Sequence, residues 1–417
     1  MRSAEQNAGE GPARLGSAFS RLWAAATISN LGDGVTVAAA PLLAAGLTDD
    51  PRLIAGLVFA QRLPWLLFAL ISGALVDRWD RRRVMTWANA FRSVALGVVA
   101  VTAATDSITL AVLYIVFFTV GIAETLFDNA AQAFMPRLVA PEQLPLANSR
   151  LYAGELIANE FAGPPLGGFL FAIAVGLPFA LDSASFAISA ILIASIFVPR
   201  APTPATPAPA RQSIWKEIGE GLRYLWHHPL LRPMAIVLGT LNLMNTMSVA
   251  TLVLLATERL DLSEVGYGLL LTSAGIGGVL ATPFAPRLNQ RLGAGGVMIM
   301  TLWGLALAPL LVPFTHSPWV VGGYFFVGAF LGITWNVATV SLRQRIIPDA
   351  LFGRVNSVYR FLAWGTMPIG ALIGGFVARE FGLVAPYVIE FVVLVTAAVL
   401  FSPKLSNRHV NAALSGR

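Results

Sequence analysis

The stretch GALVDRWDRRRVM occupies residues 73–85, and six of the seven residues from 77 to 83 are charged. Apolar segments long enough to cross a membrane flank it on both sides. Charges cost free energy in the hydrocarbon core, so this pattern predicts a loop at the membrane surface. The loop residues singled out here are Gly73, Asp77, Arg78, Arg81 and Arg82.

The composition of the whole chain is that of an integral membrane protein. Of its 417 residues 56% are hydrophobic and 12% are charged, whereas soluble domains carry about 25% charged residues. Cysteine is absent, which excludes disulfides and thiolate metal sites. No phosphate-binding loop occurs, and the four histidines lack neighbouring metal ligands. We therefore expect no metal, no cofactor, no ATP-driven step and no enzyme activity.

A membrane-spanning helix needs about 20 mostly apolar residues, and the sequence predicts twelve such helices. They lie roughly at 19–46, 53–76, 84–105, 108–134, 148–173, 177–198, 232–256, 264–286, 294–314, 318–342, 355–379 and 383–402. The expected fold is an all-α membrane protein with twelve transmembrane helices in two pseudo-symmetric six-helix bundles.

The expected domain organisation follows from these spans. It comprises a cytoplasmic tail at 1–18, a first bundle at 19–198, a cytoplasmic linker at 199–230, a second bundle at 231–403 and a cytoplasmic tail at 404–417. The linker opens with PRAPTPATPAPA, a proline-rich run that favours extended chain. Ile214, Ile218, Leu222 and Leu225 then predict one apolar face of an amphipathic helix on the membrane surface.

The distribution of basic residues predicts the orientation. With both termini in the cytoplasm, most of the 28 lysines and arginines fall on the cytoplasmic side, as the positive-inside rule requires. The net charge of +6 reflects this bias, so we expect the lipid bilayer and no nucleic acid as a partner.

The two halves share an internal repeat. Shifting the chain by 207 residues aligns Gly121 with Gly328 and the GGF at 167–169 with the GGF at 374–376. Between the eighth and ninth spans, APRLNQRLGAGGVM at 285–298 is a degraded copy of the charged loop without its aspartate. Parallel six-span repeats are typical of transporters built from two halves.

These features resemble the major facilitator superfamily, whose signature loop matches GALVDRWDRRR. GPPLGG at 163–168 is similar to a motif of the superfamily's exporters and antiporters, carried here by Gly163, Pro164, Gly167 and Gly168. The stretches TISNLGDGV and FMPRLVAPEQLPLANS resemble the enterobactin-exporter and macrolide-efflux branch. The resemblance implies a bacterial inner (plasma) membrane protein in which Asp77 lies near Gly353 and Arg354 and latches the cytoplasmic side.

Charged residues inside the predicted spans are candidates for proton coupling, since a desolvated carboxyl can hold a proton near neutral pH. We expect Asp33, Glu124 and Glu155 to fill this role and Arg62 to be the counter-charge of one of them. Fixed ion pairs that never titrate are the alternative. Many drug exporters of the superfamily have an arginine in the fourth span, and its absence here means that their proton scheme cannot be copied.

The second half has few charges inside its spans and is expected to provide polar and aromatic surface to the substrate. The candidates are Asn242, Asn245, Trp335, Asn336, Tyr359 and Trp364. The expected function is proton-coupled export of a small amphiphilic molecule, such as a drug, siderophore or secondary metabolite, by alternating access. Two alternatives stay open: an importer or facilitator of a nutrient, and a membrane sensor or scaffold that transports nothing.

Overall fold

The computed structural model describes residues 15–76, 79–197 and 214–415. The first half contains α1 (Ser17–Leu47), α2 (Pro51–Val76), α3 (Arg81–Ala104), α4 (Leu110–Phe134), α5 (Leu144–Glu155), α6 (Gly163–Ile173) and α7 (Leu177–Ala194). The second half contains α8 (Ile214–His227), α9 (Leu231–Val249), α10 (Leu252–Leu254), α11 (Glu264–Leu307), α12 (Pro318–Ile346), α13 (Asp349–Phe381), α14 (Ala385–Phe401) and α15 (Asn407–Ser415).

The helices of the described residues are consistent with the twelve expected spans. Helices α5 and α6 join into one span through the π-helical segment Leu156–Ala162. Helix α9 and the segment Leu252–Arg259 likewise form a single span that is bent by 45°. Helix α11 has 44 residues and would be about 66 Å long if straight, roughly twice the hydrocarbon thickness. Its helical geometry breaks at Gly293 (φ 73°, ψ 163°), which divides it into two spans. The expected fold class is confirmed.

The chain beyond the last span packs against the break in α11. Asn407 accepts a hydrogen bond from the Gly295 amide at 2.9 Å and donates to the Leu292 carbonyl at 2.8 Å. These bonds satisfy backbone groups that the break leaves without helical partners. The predicted tail at 404–417 therefore contains a short packed helix, α15, whose Val410 is buried.

Helix α8 is amphipathic, as its sequence predicts, and it packs on the second bundle. Leu225 is fully buried there, whereas Leu222 stays exposed. Arg354 at the start of α13 pairs with Glu220 and lies 3.6 Å from Glu217 of α8. The proline-rich linker before α8, residues 199–213, falls outside the described residues.

Glycines of the repeat bring helix backbones into direct contact within each bundle. A Cβ atom on Gly163 would lie 2.5 Å from the Gly34 Cα, and one on Gly167 would collide with the Val35 carbonyl. In the second half, a Cβ on Gly374 would collide with the Met247 carbonyl. Small residues allow this close approach of membrane helices.

The second glycine of each GGF contacts the backbone of the other bundle. A Cβ on Gly168 of α6 would collide with the Glu264 carbonyl at the start of α11. A Cβ on Gly375 of α13 would lie 2.9 Å from the Arg52 Cα at the start of α2. The repeat seen in the sequence is thus also a repeat of contacts.

The two bundles share an apolar core at only one end of the described structure. This shared core lies between the bundles and includes Leu42–Ala44, Ile54 and Leu57 of the first half and Leu252–Ala256 of the second. At the end that holds the termini, the described apolar clusters belong to one half each. The molecule is therefore closed at the end of the shared core and divided at the terminal end.

We expect Gly374→Ala to destabilise the second bundle, because its Cβ meets a backbone carbonyl that cannot rotate away. Overpacking of this kind costs about 1–3 kcal/mol. Thermal unfolding of purified protein in detergent measures the effect. Gly323→Ala is the matched control, since nothing lies within 4 Å of a Cβ added there; equal melting temperatures for the two variants would contradict the prediction.

Candidate functional site

A cavity of about 520 Å³ lies between the bundles, on the terminal side of the shared core. It is lined mainly by the first half, with Arg360 and Trp364 of α13 as its described contribution from the second. On α1 it extends from Ala26 to Val37, and on α4 from Phe117 to Gln132. The α1 range covers the middle of that helix, and the α4 range continues almost to Phe134 at its terminal end. The cavity therefore reaches towards the divided end of the molecule.

The lining is rich in ionisable groups. Its carboxyl groups belong to Asp33, Glu124, Asp128, Glu155, Glu160 and Asp182, and its guanidinium groups to Arg62, Arg92 and Arg360. Charged groups at this depth are tolerated when they pair or face water. The acidic excess differs from the polar and aromatic surface that the sequence predicts for the substrate site.

An ion pair between α1 and α3 forms the buried side of the cavity. Nη2 of Arg92 donates to Oδ1 of Asp33 at 2.8 Å, with 4% and 28% of the two side chains exposed. The guanidinium carbon lies 3.9 Å from the centre of the Phe186 ring, a cation–π contact. Nε of Arg92 is buried without a hydrogen-bond partner. Asp33 thus faces the cavity while its partner is enclosed.

A second carboxyl lies behind this pair. Asp182 of α7 is fully buried and accepts hydrogen bonds from Thr36 at 2.5 Å and from Ser185 at 3.2 Å. A Cβ on Gly32 would collide with both Asp182 and Ser185. The glycine beside Asp33 is therefore required for α1 to approach α7 at this depth.

The π-helical segment places two glutamates on the cavity. Glu155 and Glu160 are five residues apart, and an α-helix would turn them about 140° away from each other. Hydrogen bonds from residue i to i+5 widen this turn, and both side chains line the cavity. The amide of Gly163 accordingly donates to the Ala158 carbonyl. Pro164 and Pro165 follow and supply no amide hydrogens, so regular α-helical bonding cannot continue back into the segment.

The ion-pair partner of Asp33 is Arg92, and the expectation that Arg62 is the counter-charge of Asp33, Glu124 or Glu155 stays a prediction. Arg62 lines the same cavity but makes no ion pair among the described residues, whereas Arg92 holds Asp33. Helix α3 positions Arg92 directly opposite Asp33, a relation between distant segments that hydropathy does not reveal. Glu124, Glu155 and Asp33, the predicted proton-coupling residues, do come together around one cavity.

The second-half candidates are mostly placed elsewhere. Trp364 lines the cavity, where its ring meets Trp65 edge-on at 4.8 Å and lies under Arg360 at 4.5 Å. Trp335 and Tyr359 are buried in the core of the second bundle and do not line it, because large apolar rings gain more from burial.

The remaining three candidates are asparagines. Asn242 donates to the Ala363 carbonyl at 2.8 Å and joins α9 to α13. Asn245 and Asn336 are exposed and are not among the residues that line this cavity.

The charged loop motif binds the ends of neighbouring helices. Arg81 donates to the Ala133 carbonyl of α4 at 3.2 Å, and Arg82 to the Ile196 carbonyl after α7 at 2.9 Å. Cations are favourable at helix C-termini. Gly73 lies within α2, whereas Asp77 and Arg78 fall outside the described residues, so their predicted latch stays a prediction.

Known proteins share both sequence and architecture with this chain. Residues 11–414 match the family described as transmembrane secretion effectors, a branch of the major facilitator superfamily. The chain belongs to the major facilitator superfamily. It is a membrane transporter and not an enzyme, and the resemblance seen in its motifs is confirmed.

The superfamily includes relatives named as exporters. The multidrug efflux pump Tap of Mycolicibacterium fortuitum is 26% identical over 394 residues, 91% of this chain and 94% of that protein. The enterobactin exporter EntS of Shigella boydii serotype 4 (strain Sb227) is 24% identical over 362 residues, 86% and 85% of the two chains.

The fold is shared with a bacterial homologue of the iron transporter ferroportin in its inward-facing state. That structure has a TM-score of 0.71 and 19% identity, with 94% of this chain and 99% of that chain covered.

The ionisable site residues that the expected set omits are Arg92, Asp128, Glu160, Asp182 and Arg360. Each is a charged residue inside a span, which is the signal that could have found it. Helix periodicity cannot tell a cavity-facing charge from a buried one when both faces of a span are packed by protein. Glu160 reaches the cavity only because of the π-helical turn.

We expect Asp33→Asn to destabilise the protein by up to about 3 kcal/mol, since it leaves the buried Arg92 without its anion. Arg62→Gln is the comparison and should have little effect. A double-mutant cycle of Asp33→Asn with Arg92→Gln, measured by thermal unfolding, isolates the pair energy. Equal losses for Arg62→Gln and Arg92→Gln would contradict the assigned partner.

We expect Trp364→Ala to change the KM for transported probes while the fold survives. Trp335→Ala should instead lower stability by about 3–5 kcal/mol, as removal of large buried side chains does. Transport kinetics and thermal unfolding separate the two effects. A stable Trp335→Ala protein with altered KM would place Trp335 at the substrate.

Proposed function

We propose that this transporter is a proton-coupled exporter of small amphiphilic molecules that works by alternating access. The observation that carries the proposal is the one-sided cavity with the Asp33–Arg92 ion pair at its inner wall. A cavity closed by the shared core at one end and open at the other is one state of such a cycle. The exporter relatives support the outward direction of transport.

The orientation follows from the basic residues. Arg81, Arg82 and the arginines near α8 lie at the terminal end, which the positive-inside rule assigns to the cytoplasm. The open side of the cavity then faces the cytoplasm, where an exporter collects its substrate. The shared core closes the outer side, and both termini are cytoplasmic.

The ion pair provides a means of exchanging substrate for protons. In the inward-open state Asp33 is ionised and held by Arg92. After the bundles rearrange, a proton arriving from outside binds the Asp33 carboxylate and removes its charge, which frees Arg92 and weakens the binding of a substrate held by the acidic lining. Return to the inward-open state releases the proton to the cytoplasm and restores the pair.

The carboxyls of the lining make this exchange sensitive to substrate charge. Glu124, Glu155 and Glu160 have no ion-pair partner among the described residues and face the cavity. They favour amphiphiles that carry a basic group, because such a group and protons compete for the same oxygens. Trp364 supplies the aromatic surface that the apolar part of a substrate contacts.

Inside-out membrane vesicles test the proposal. Acidifying their interior should drive uptake of probes such as ethidium or erythromycin, and an uncoupler should abolish it. Asp33→Asn should reduce gradient-driven uptake to background. Asp106→Asn removes an acidic group from the loop after α3, and Asn tolerates its φ of 52°, so this control should transport normally.

Two results would sink the proposal. Uptake by Asp33→Asn equal to that of the unmodified protein would remove Asp33 from the proton step. Probe movement out of the vesicles down the same gradient would indicate import.

A further inference from the structure

A carboxyl without a cation lies in the second bundle, away from the cavity. Glu390 of α14 is 4% exposed. Its Oε2 accepts hydrogen bonds from Ser248 of α9 at 2.5 Å and from Tyr324 of α12 at 3.2 Å. The arrangement parallels Asp182 in the first bundle, which accepts from Thr36 of α1.

The two buried carboxyls differ in their electrostatic surroundings. Arg92 acts on Asp182 from α3. Among the described residues, the polar groups around Glu390 are hydroxyls: Ser248 from α9, Tyr324 from α12 and Tyr387 from α14 itself, with Tyr267 of α11 next to Tyr387. No lysine, arginine or histidine of the described chain pairs with Glu390.

An ionised carboxylate enclosed in this way would be very unfavourable. The hydroxyl of Tyr387 is also buried and has no hydrogen-bond partner. The hydroxyls of Ser248 and Tyr324, which both donate to Oε2, satisfy a neutral Glu390 carboxyl. The unpartnered hydroxyl of Tyr387 is a further donor for an ionised one. The geometry therefore describes a site that holds a proton and can release it when water enters.

The position of Ser248 connects this site to a moving part. Ser248 is the penultimate residue of α9, which ends at Val249, and the span bends by 45° before α10 begins at Leu252. Thr251, inside the bend, has a buried hydroxyl without a partner. Beyond the bend, Leu252–Ala256 belong to the shared core.

We propose that Glu390 is a proton-binding site of the second bundle and that its proton stabilises the closed outer end. With the proton bound, Glu390 is neutral and Ser248 stays tied to α14 at the bend. Loss of the proton creates an anion that needs water, and water reaches this depth when Leu252–Ala256 separate from α1 and α2. Low pH outside then favours the closed outer end, and high pH favours its opening.

Infrared difference spectroscopy tests the bound proton without requiring transport. Purified protein in nanodiscs at neutral pH should show the C=O stretch of a protonated buried carboxyl. Glu390→Gln should lose this band, whereas Glu258→Gln, which removes an exposed glutamate from the segment after the α9 bend, should retain it. A band that persists in Glu390→Gln would overturn the proton site.

Spin-label distances test the link to the outer end. The chain has no cysteine, so Asp49→Cys and His316→Cys, both at exposed positions of the outer loops, give a single labelled pair. The distance should lengthen as pH is raised in the unmodified background and stay at its low-pH value in Glu390→Gln.

Ser248→Ala provides the second variant. It keeps the carboxyl and its infrared band but loses the tie at the bend, so the pH-dependent distance shift should be reduced. An unchanged shift in both Glu390→Gln and Ser248→Ala would refute the link. Failure of probe transport with the band and shift intact would count against the proposed export function and leave this site standing.

Discussion

The ion pair between Asp33 and Arg92 is the interaction around which the first bundle is arranged. A guanidinium buried to 4% exposure cannot persist without an anion or water beside it. Arg92 reaches Asp33 of α1 from α3, a helix that packs mainly on α4 and α7, and Gly32 lets Asp182 of α7 approach the same place. The cavity then forms on the side where Asp33 keeps access to water. The packing of the first bundle is therefore governed by the need to pair or hydrate the charges that lie deep inside it.

Glycine-to-backbone contacts set the distances between helices in both halves. Gly167 and Gly374 bring helices together within a bundle, and Gly168 and Gly375 do so between bundles. Packing is the main attraction between helices in lipid, since lipid tails are as apolar as the side chains they replace. The exporter-type motif is thus half of a symmetric arrangement whose other half lies in α13. The symmetry ends at the charges, because the second bundle has no counterpart of the buried Asp33–Arg92 pair among its described residues.

This asymmetry divides the work between the bundles. The first half carries the ionisable lining of the cavity, and the second contributes Arg360 and Trp364 from one helix. The second half also holds the bend after α9, whose outer part completes the shared core. A charge change in the first half and a backbone bend in the second can be coupled because both meet at the same interface between bundles.

The fold was largely readable from the sequence. Twelve apolar segments, the 207-residue repeat and the GPPLGG and GALVDRWDRRR motifs fix the spans and the superfamily, because a lipid environment leaves a chain little choice but helices of membrane-spanning length. The same reasoning recognised Asp33, Glu124 and Glu155, since an acidic residue inside an apolar span stands out.

Other features depended on tertiary structure. Which arginine faces Asp33 is decided by how α3 packs on α4 and α7. This packing brings Arg92 to a residue 59 positions earlier in the chain, a relation that no local pattern records. Glu160 lines the cavity because the π-helical turn is wider than an α-helical one. Trp335 and Tyr359 do not line it, because both are buried in the core of the second bundle. The sequence determined where each charge lies along a span; only the packed helices decided whether that charge meets a partner, a cavity or a core, because that depends on which face the neighbouring helix covers.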